Sequence, residues 1–339
     1  MDIQKRSLQF STMMLVFALT LRAFSGGIPA AAVQRPELLS LLFFAETGWM
    51  LTPPTGETAL TEPAVPTQPE ETLPPESSPP ETVPAPPPTA QFSPTDADSV
   101  QIKSVCGYQA DALAMLQQPL TWELTGQTPT VLILHSHATE GYTNTEGYAE
   151  SAGYRTLDTQ YNVVSVGDRI AQALEAGGVR VLHDTALHDY PSYSDAYANS
   201  RQSASAYIQQ YPSVKMILDI HRDAVETPAG EQMQYTVQQG QERLAQMMLV
   251  VGSDAGGLTH PDWSQNMALA VKLHAQLEKQ VPGICRPINL RTQRFNQDLS
   301  PGALLIEIGA AGNTRQEALA AADVLAQAIL ALAHGAQIV

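Results

Sequence analysis

The chain has 339 residues, 44% of them hydrophobic, and carries a formal net charge of -16 at pH 7. This length and apolar fraction predict one or two domains with a sizeable core, and the acidity excludes the basic surface of a nucleic-acid-binding protein. The only two cysteines, Cys106 and Cys285, exclude a disulfide-rich scaffold and a cysteine-based zinc site. Whether these two form one disulfide is left open by the sequence.

Residues 1–33 predict an export signal. Lys5 and Arg6 precede an apolar stretch from Leu8 to Leu21, a pattern that keeps the basic end in the cytoplasm. The stretch is short for a membrane-spanning helix, which needs about 20 residues, so both a membrane anchor and a cleaved signal peptide fit. An anchor is favoured, and under either interpretation the rest of the chain is exported.

Three further segments follow the signal. Residues 34–51 are a short apolar segment expected near the membrane surface. Residues 52–95 are rich in Pro, Thr and Glu, and a segment with so few large apolar residues predicts a disordered, semi-stiff linker. Residues 96–339 have a globular composition and predict one catalytic domain.

Strands and helices alternate along the predicted domain. The predicted strands are TVLILHSH, VRVLHD, VKMILDIHRD, RLAQMMLVVGSD and ALLIEIGAAGN, and the predicted helices are NVVSVGDRIAQALEAGG, SDAYANSRQSASAYIQQYP, SQNMALAVKLHAQLEKQVPG and TRQEALAAADVLAQAILALAHG. This alternation predicts an α/β fold, with a mostly parallel sheet flanked by helices on both faces.

Three of the predicted strands end in residues suited to chemistry. The carboxyl ends of parallel strands share one edge of a sheet, so His135, His137, His221 and Glu307 are expected close together. Two histidines and a carboxylate suit a catalytic Zn²⁺, and a further carboxylate can act as the general acid/base of amide hydrolysis. The competing interpretation is structural, because a single histidine at a strand end is more often structural than catalytic.

Other enzyme classes have no motif in this sequence. The G-x-S-x-G turn of serine hydrolases, the H-E-x-x-H helix of metalloproteases and both glycine-rich nucleotide loops are missing. Asp219 and Asp223 flank His221 on one strand, and Asp219 is expected to orient a histidine.

The motifs PTVLILHSHATEGY, NVVSVGDRIAQALEAGGVRVLHDTALHD, YPSVKMILDIHRDA and RFNQDLSPGALLIEIGAAGNTRQEA resemble those of the stage II sporulation protein P family of endospore-forming bacteria. The resemblance covers nearly all of residues 105–333. That family is similar in fold to the zinc-dependent N-acetylmuramoyl-L-alanine amidases. It therefore implies an amidase-like α/β domain that uses Zn²⁺.

The resemblance also implies roles for single residues. His137, rather than His135, and His221 take the places of the metal-binding histidines. Glu307 takes the place of the catalytic carboxylate, and Glu307, Gly309 and Asn313 reproduce the E-x-G-x-x-x-N pattern of the amidases. His135 is expected to be structural or to support a ligand.

The third metal ligand is open between two carboxylates. The amidases use a glutamate four residues before an asparagine, and counting back from Asn162 gives Asp158, an aspartate. Glu140, inside the HSHATE motif, is the competing candidate and is slightly favoured. The threonine that the family usually has between the histidines is Ser136 here, which keeps the hydroxyl group.

The family's activity implies a membrane-anchored cell-wall hydrolase of the mother cell that acts on septal peptidoglycan during engulfment, outside the cytoplasm. The implied reactions are amidase cleavage of stem peptides from glycan and endopeptidase cleavage of cross-links. The implied partners are a lytic transglycosylase, stage II sporulation protein D, and a membrane scaffold, protein M.

Candidate substrate contacts lie in two parts of the sequence, at Arg222 and in the RFNQD run. Arg222, Arg294, Asn296 and Asp298 are candidates for holding the acidic stem peptide, since guanidinium groups suit peptide carboxylates. Arg222 equally fits an internal ion pair. The alternative function is a catalytically silent peptidoglycan-binding or scaffold module that activates a partner hydrolase, and a zinc peptidase without amidase action is a third interpretation.

Overall fold

The computed structural model describes residues 92–143 and 154–335. All of them lie in the second of two compact units, Thr82–Val339. The predicted signal or anchor, the apolar segment and nearly all of the predicted linker fall outside the described residues.

The described residues form nine strands and five helices. The strands are β1 (Ile102–Ser104), β2 (Val131–Leu134), β3 (Val181–His183), β4 (Met216–Asp223), β5 (Thr236–Gln239), β6 (Glu242–Ala245), β7 (Met247–Val251), β8 (Ile288–Leu290) and β9 (Gly302–Ala310). The helices are α1 (Ala112–Gln117), α2 (Val163–Ala176), α3 (Ala196–Gln210), α4 (Trp263–Gln280) and α5 (Arg315–His334), with 3-10 turns at Pro94–Ser99, Tyr193–Asp195 and Gln297–Leu299.

Seven strands form one sheet in the order β1-β8-β7-β9-β4-β2-β3. All neighbours are parallel except β7 and β9, which are antiparallel. The sheet therefore consists of two parallel blocks that run in opposite directions and meet between β9 and β7. The predicted α/β class and mostly parallel sheet are confirmed, and β5 and β6 form a separate hairpin.

The central strands are apolar on both faces, as expected for parallel strands covered on two sides. Alternate residues of a strand point to opposite faces. On one face, Ile133, Leu218 and Ile306 belong to the large core that includes residues of α2, α4 and α5. On the other face, Leu132, Leu134 and Ile217 belong to a smaller core with Ala204 of α3.

Helix ends follow local signals in the sequence. The Asn162 side chain accepts a hydrogen bond from the backbone N–H of Val164 and begins α2. Thr314 and Glu317 form a reciprocal capping box that begins α5, and Gly335, with a φ of 61°, ends it. Such caps satisfy backbone groups that have no partner within the helix.

One predicted strand was wrong in its extent. RLAQMMLVVGSD forms two strands, because the two backbone groups of Gln246 have different partners. Its N–H donates to the Tyr235 carbonyl (2.9 Å), and its carbonyl accepts from the N–H of Gly309 in β9 (2.9 Å). The chain thereby leaves the β5–β6 hairpin and enters the main sheet as β7. Cys106 and Cys285 are both free thiols, which decides against a disulfide between them.

Helix α5 is the one described helix long and apolar enough to cross a membrane. In that helix, 61% of the apolar window is buried inside the domain. A buried helix that packs against α2 and α4 is best explained as part of the core. The membrane anchor expected in residues 1–33 lies outside the described residues.

Candidate active site

Three polar residues, His135, Ser136 and His137, directly follow β2 at the edge of the sheet. His135 is fully buried, with Nδ1 2.9 Å from the Ile220 carbonyl oxygen and Nε2 2.9 Å from Nε2 of His183. Burial and the neighbouring His183 lower the pKa of His135 to about 3. A Cβ atom at Gly167 of α2 would stand 2.6 Å from His135 Nε2. His135 is thus a packed, neutral residue, as its expected structural role requires.

Asp219 joins the ends of β2 and β4. Its carboxylate accepts hydrogen bonds from the backbone N–H of Ser136 (2.8 Å) and from its hydroxyl group (2.6 Å). Asp219 Oδ1 also lies 2.8 Å from Nε2 of His221, at an angle outside hydrogen-bond geometry. The hydroxyl at position 136 therefore positions Asp219, which in turn faces His221.

Glu140 lies beside His221. The carboxylate of Glu140 is buried, with Oε2 3.4 Å from Nδ1 of His221. The same Oε2 accepts a hydrogen bond from the backbone N–H of Arg222 (3.2 Å). The Arg222 guanidinium lies 3.7 Å from Oε1, so the internal ion pair that the sequence allowed for Arg222 is present.

Neighbouring charges shift the pKa values of Glu140 and His221. Burial by itself raises the pKa of Glu140, but hydrogen bonding to His221 and the charge of Arg222 lower it below the ordinary value. Burial opposes the charged form of His221, yet Asp219 and Glu140 raise the pKa of His221 well above its ordinary value. The position between Asp219 and Glu140 therefore favours a positive charge.

Glu307 is the neighbour of His221 across the sheet, since the two residues pair in the register of β4 and β9. Its Oε2 atom is buried and has no hydrogen-bond partner among the described residues. Burial raises the pKa of Glu307, and the negative charge of Glu140 adds to the rise. A carboxyl group of raised pKa at the end of a strand is a candidate general acid/base.

The remaining residues of the E-x-G-x-x-x-N pattern shape the turn after Glu307. Asn313 is fully buried, and its Oδ1 accepts hydrogen bonds from the backbone N–H groups of Ala310 (2.9 Å) and Tyr235 (3.1 Å). Gly309 has a φ of 69°, and a Cβ atom there would stand 2.8 Å from Asn313 Oδ1. Gly309 and Asn313 therefore hold the end of β9 and fix where Glu307 points.

Aromatic rings surround His137. Its ring stacks on Tyr193 with centroids 4.3 Å apart, and the rings of Tyr197 and His221 meet it edge-on at 5.4 and 5.5 Å. His137 Nδ1 is buried without a hydrogen bond among the described residues. Burial lowers the pKa of His137, which favours the neutral imidazole.

Sequence analysis missed two charged residues near this site. Asp189 lies 3.8 Å from Nδ1 of His137 and forms a 2.9 Å ion pair with Arg155. Arg155 also lies 3.4 Å from Glu140 and its guanidinium sits 4.6 Å from the Tyr193 ring centroid. The signal for Asp189 is the polar run that follows β3, the same kind of strand end that identified His137.

Asp158, the alternative third ligand, makes no hydrogen bond or ion pair with His137, His221 or Glu140 in the described structure. It is exposed, and its carboxylate accepts a hydrogen bond from the backbone N–H of Gln160 (3.0 Å). Of the two carboxylates that the sequence left open, Glu140 is the one in contact with His221. The assignment of either as a ligand stays a prediction.

The expected substrate-binding residues make contacts inside the domain. Asn296 donates to the Tyr197 carbonyl (2.8 Å), and Asp298 pairs with Arg201 (2.8 Å) and Arg294 (3.1 Å). These bonds fix the segment between β8 and β9 against α3. A role for these residues in substrate binding stays a prediction.

The residue types fit a zinc site, although the present geometry is not that of bound metal. Within residues 92–143 and 154–335, no three His, Cys, Asp or Glu side chains already converge as ligands. His137, His221 and Glu140 nevertheless form the nitrogen and carboxylate set that Zn²⁺ prefers. Nδ1 of His137 is buried and has no hydrogen bond in the described structure, so it is an atom that a cation would satisfy.

Comparison with known proteins identifies the sequence relationship. A model of the stage II sporulation protein P (SpoIIP) family matches residues 62–330. The chain is 28% identical over 220 residues to stage II sporulation protein P of Bacillus subtilis (strain 168). That match covers 60% of this chain and 52% of the relative, so it spans about half of the relative's length.

Solved structures with a similar arrangement include N-acetylmuramoyl-L-alanine amidases. AmiC2 of Nostoc punctiforme has a TM-score of 0.36 and 15% identity, over 61% of this chain and 97% of that chain. The amidase from Clostridium difficile 630 has a TM-score of 0.36 and 16% identity, over 60% and 94% of the two chains. Similarity at this level supports no conclusion about activity.

Proposed function

The chain belongs to the stage II sporulation protein P family, and we propose that it is a zinc-dependent cell-wall hydrolase of sporulation. The proposed reaction is hydrolysis of the amide bond between N-acetylmuramic acid and the L-alanine of the stem peptide, with peptide cross-links as a second substrate. The observation that carries this proposal is the buried Oε2 of Glu307, which has no hydrogen bond from the described residues, next to the cluster of His137, His221 and Glu140.

His137, His221 and Glu140 are the residues that would hold the metal. A Zn²⁺ ion bound there supplies a water of lowered pKa and polarises the amide carbonyl. Arg222 and Arg155 keep Glu140 ionised and in place. Asp219 positions His221 from the opposite side of its ring.

Glu307 moves the proton. Its Oε2 accepts the proton of the attacking water and then delivers it to the nitrogen of the leaving L-alanine. The first transfer needs the ionised carboxylate, and the raised pKa of Glu307 favours the second, because the carboxyl must hold the proton until the leaving nitrogen takes it. The Tyr193 and Tyr197 rings contact the His137 ring and hold its orientation at this edge of the sheet.

Purified peptidoglycan digested by the full chain tests the proposal. Mass spectrometry of the products, with and without a chelator, should show free stem peptides only where zinc is available. Glu307→Gln is the matched inactive control, since it keeps the size of the side chain. Sacculi left intact by the zinc-loaded chain, alone and with a lytic transglycosylase, would favour the silent binding module instead.

The cellular setting belongs to the same proposal. The family relationship supports action on septal peptidoglycan during engulfment, with the catalytic domain outside the cytoplasm on a membrane anchor. It also supports work alongside a lytic transglycosylase and a membrane scaffold. Fractionation of sporulating cells, followed by immunoblotting, tests whether the chain is found in the membrane fraction.

A further inference from the structure

A cleft of about 550 Å³ lies on the α3 side of the sheet and is bordered by Glu307. Its other lining residues include Lys103, Arg286, Asn289 and Arg291. We propose that this cleft binds the peptide part of the substrate, an acidic peptide whose carboxylates are held by Lys103 and Arg291. The inference deepens the proposed function and depends on it for the identity of the substrate.

The strand register places the cleft beside the reacting centre. Leu305 of β9 pairs with Val250 of β7, Val250 pairs with Asn289 of β8, and Asn289 pairs with Lys103 of β1. These four residues therefore form one row across the sheet, on the face that carries Glu307 two residues further along β9.

The length of this row suits a short peptide. Three spacings of about 4.8 Å separate β9 from β1, so Lys103 is about 14 Å from β9. An extended peptide rises about 3.3 Å per residue, so about four residues span that distance. A stem peptide attacked at its first amide bond can therefore reach Lys103 with its distal residues.

Two cationic side chains of the cleft, Lys103 and Arg291, form no ion pair with the described residues. Lys103 is exposed and makes no ion pair or hydrogen bond with the side chains of the described residues, and Arg291 has one weak bond, to Gln293 at 3.4 Å. Arg286 differs, because it pairs with Asp223 at 2.8 Å and lies 3.9 Å from the Tyr235 ring centroid. In so acidic a chain, two free cations at one cleft indicate an anionic ligand.

The cleft also offers a hydrogen-bond acceptor. Oδ1 of Asn289 is buried and has no partner within the described structure. A buried amide oxygen without a partner costs free energy unless a ligand supplies a donor, and the backbone N–H of a bound peptide is such a donor. Cations for carboxylates and an acceptor for N–H together match an acidic peptide better than an inorganic anion.

An aromatic wall connects the cleft to the histidines. The Phe295 and Tyr197 rings both border the cleft, with centroids 5.9 Å apart, and Tyr197 also meets His137 edge-on. Phe295 and Asn296 have φ values of 51° and 58°. Left-handed backbone is unusual for phenylalanine and occurs preferentially at functional sites.

The test uses the full chain and two double variants that remove the same charges. Lys103→Gln with Arg291→Gln alters the cleft. Lys215→Gln with Arg180→Gln is the matched control, because these residues precede β4 and β3, at the strand ends opposite Glu307. The probes are a fluorescently labelled L-Ala-γ-D-Glu-L-Lys-D-Ala peptide and the same peptide with its carboxylates amidated, and fluorescence anisotropy measures binding.

The cleft variant should bind the acidic peptide about tenfold more weakly than the wild type, and the control variant should bind it as the wild type does. The amidated peptide should bind equally to all three proteins. Equal binding of the acidic peptide, or equal weakening for both peptides, would overturn the proposal. If the cleft variant binds the acidic peptide more weakly but the wild type cleaves no peptidoglycan, the peptide site is upheld and the proposed hydrolase activity is overturned. The two proposals can therefore fail separately.

Discussion

The candidate site contains two buried glutamates, and their surroundings shift the two pKa values in opposite directions. In the loop after β2, Glu140 is surrounded by His221, Arg222 and Arg155, and the pKa of its carboxyl is lowered. On β9, Glu307 has a buried oxygen without a partner in the described structure, and its pKa is raised. The Glu140 carboxylate already has its polar partners within the domain, whereas the Glu307 carboxyl has an oxygen that can still interact with a reacting group or a ligand.

The largest expected effect comes from removing the carboxyl on the β9 side. Glu307→Ala should lower the rate of peptidoglycan cleavage by a factor of about 10² to 10⁴, the usual contribution of a general acid/base. The metal content, measured by atomic absorption, should stay equal to that of the wild type. Loss of metal in this variant would instead identify Glu307 as a ligand.

The second prediction removes the carboxylate on the β2 side. Glu140→Ala removes the buried carboxylate that faces both His221 and Arg222, which should lower the free energy of unfolding by about 3–5 kcal/mol. Urea unfolding measures this loss, and metal content should fall together with it.

Asp158→Ala is the control for Glu140→Ala. Asp158 is exposed, so its removal should change the free energy of unfolding by less than about 0.5 kcal/mol. If Asp158→Ala loses metal while Glu140→Ala retains it, the third ligand is Asp158 and the comparison of the two glutamates fails.

The third prediction concerns the turn that aims Glu307. Gly309→Ala puts a Cβ atom 2.8 Å from Asn313 at a left-handed φ, and should cost about 1–3 kcal/mol of stability. Gly178→Ala is the matched comparison, because Gly178 has a φ of 86° but nothing within 4 Å of its Cβ position. Thermal unfolding should show the smaller loss for Gly178→Ala, and only Gly309→Ala should reduce turnover.

The smallest expected effect is on the pH dependence of stability, and it comes from a residue outside the candidate site. Lys272 of α4 is buried, its ammonium donates to the Leu116 carbonyl, and burial lowers the pKa of Lys272 to about 8. Unfolded chains hold this proton up to a pKa of about 10.4, so stability relative to Lys272→Met should rise as pH increases from about 8 to 10. Thermal unfolding of both proteins across this range tests it, and parallel curves would contradict it.

Sequence pattern and the family resemblance together predicted the core and the β4–β9 part of the site. Apolar runs and helix caps located the central strands and α2, α3 and α5, and polar residues at strand ends pointed to His137, His221 and Glu307. The choice between Glu140 and Asp158 depends on isolated β-bridges of Glu140 with Arg155 and of Gly141 with Asn162. Such contacts between distant residues leave no periodic signal.

The cleft could not be predicted, for a topological reason. No glycine or proline marks the break at Gln246, so no local signal predicts that β6 and β7 are separate strands. It is β7 that pairs antiparallel with β9 and continues the sheet to β8 and β1 on its far side. Lys103 and Asn289 therefore join the site from parts of the chain that no motif connects to Glu307.

Arg222 has a consequence for how this protein can vary. Its guanidinium donates to the carbonyls of Gly141 (2.8 Å) and Tyr154 (3.0 Å), and the backbone N–H of Gly141 also donates to Tyr154 (2.8 Å). The two ends of the segment between these residues are thus fixed together next to His221. Replacement of Arg222 would release both ends at once, so Arg222 should not be replaceable in evolution.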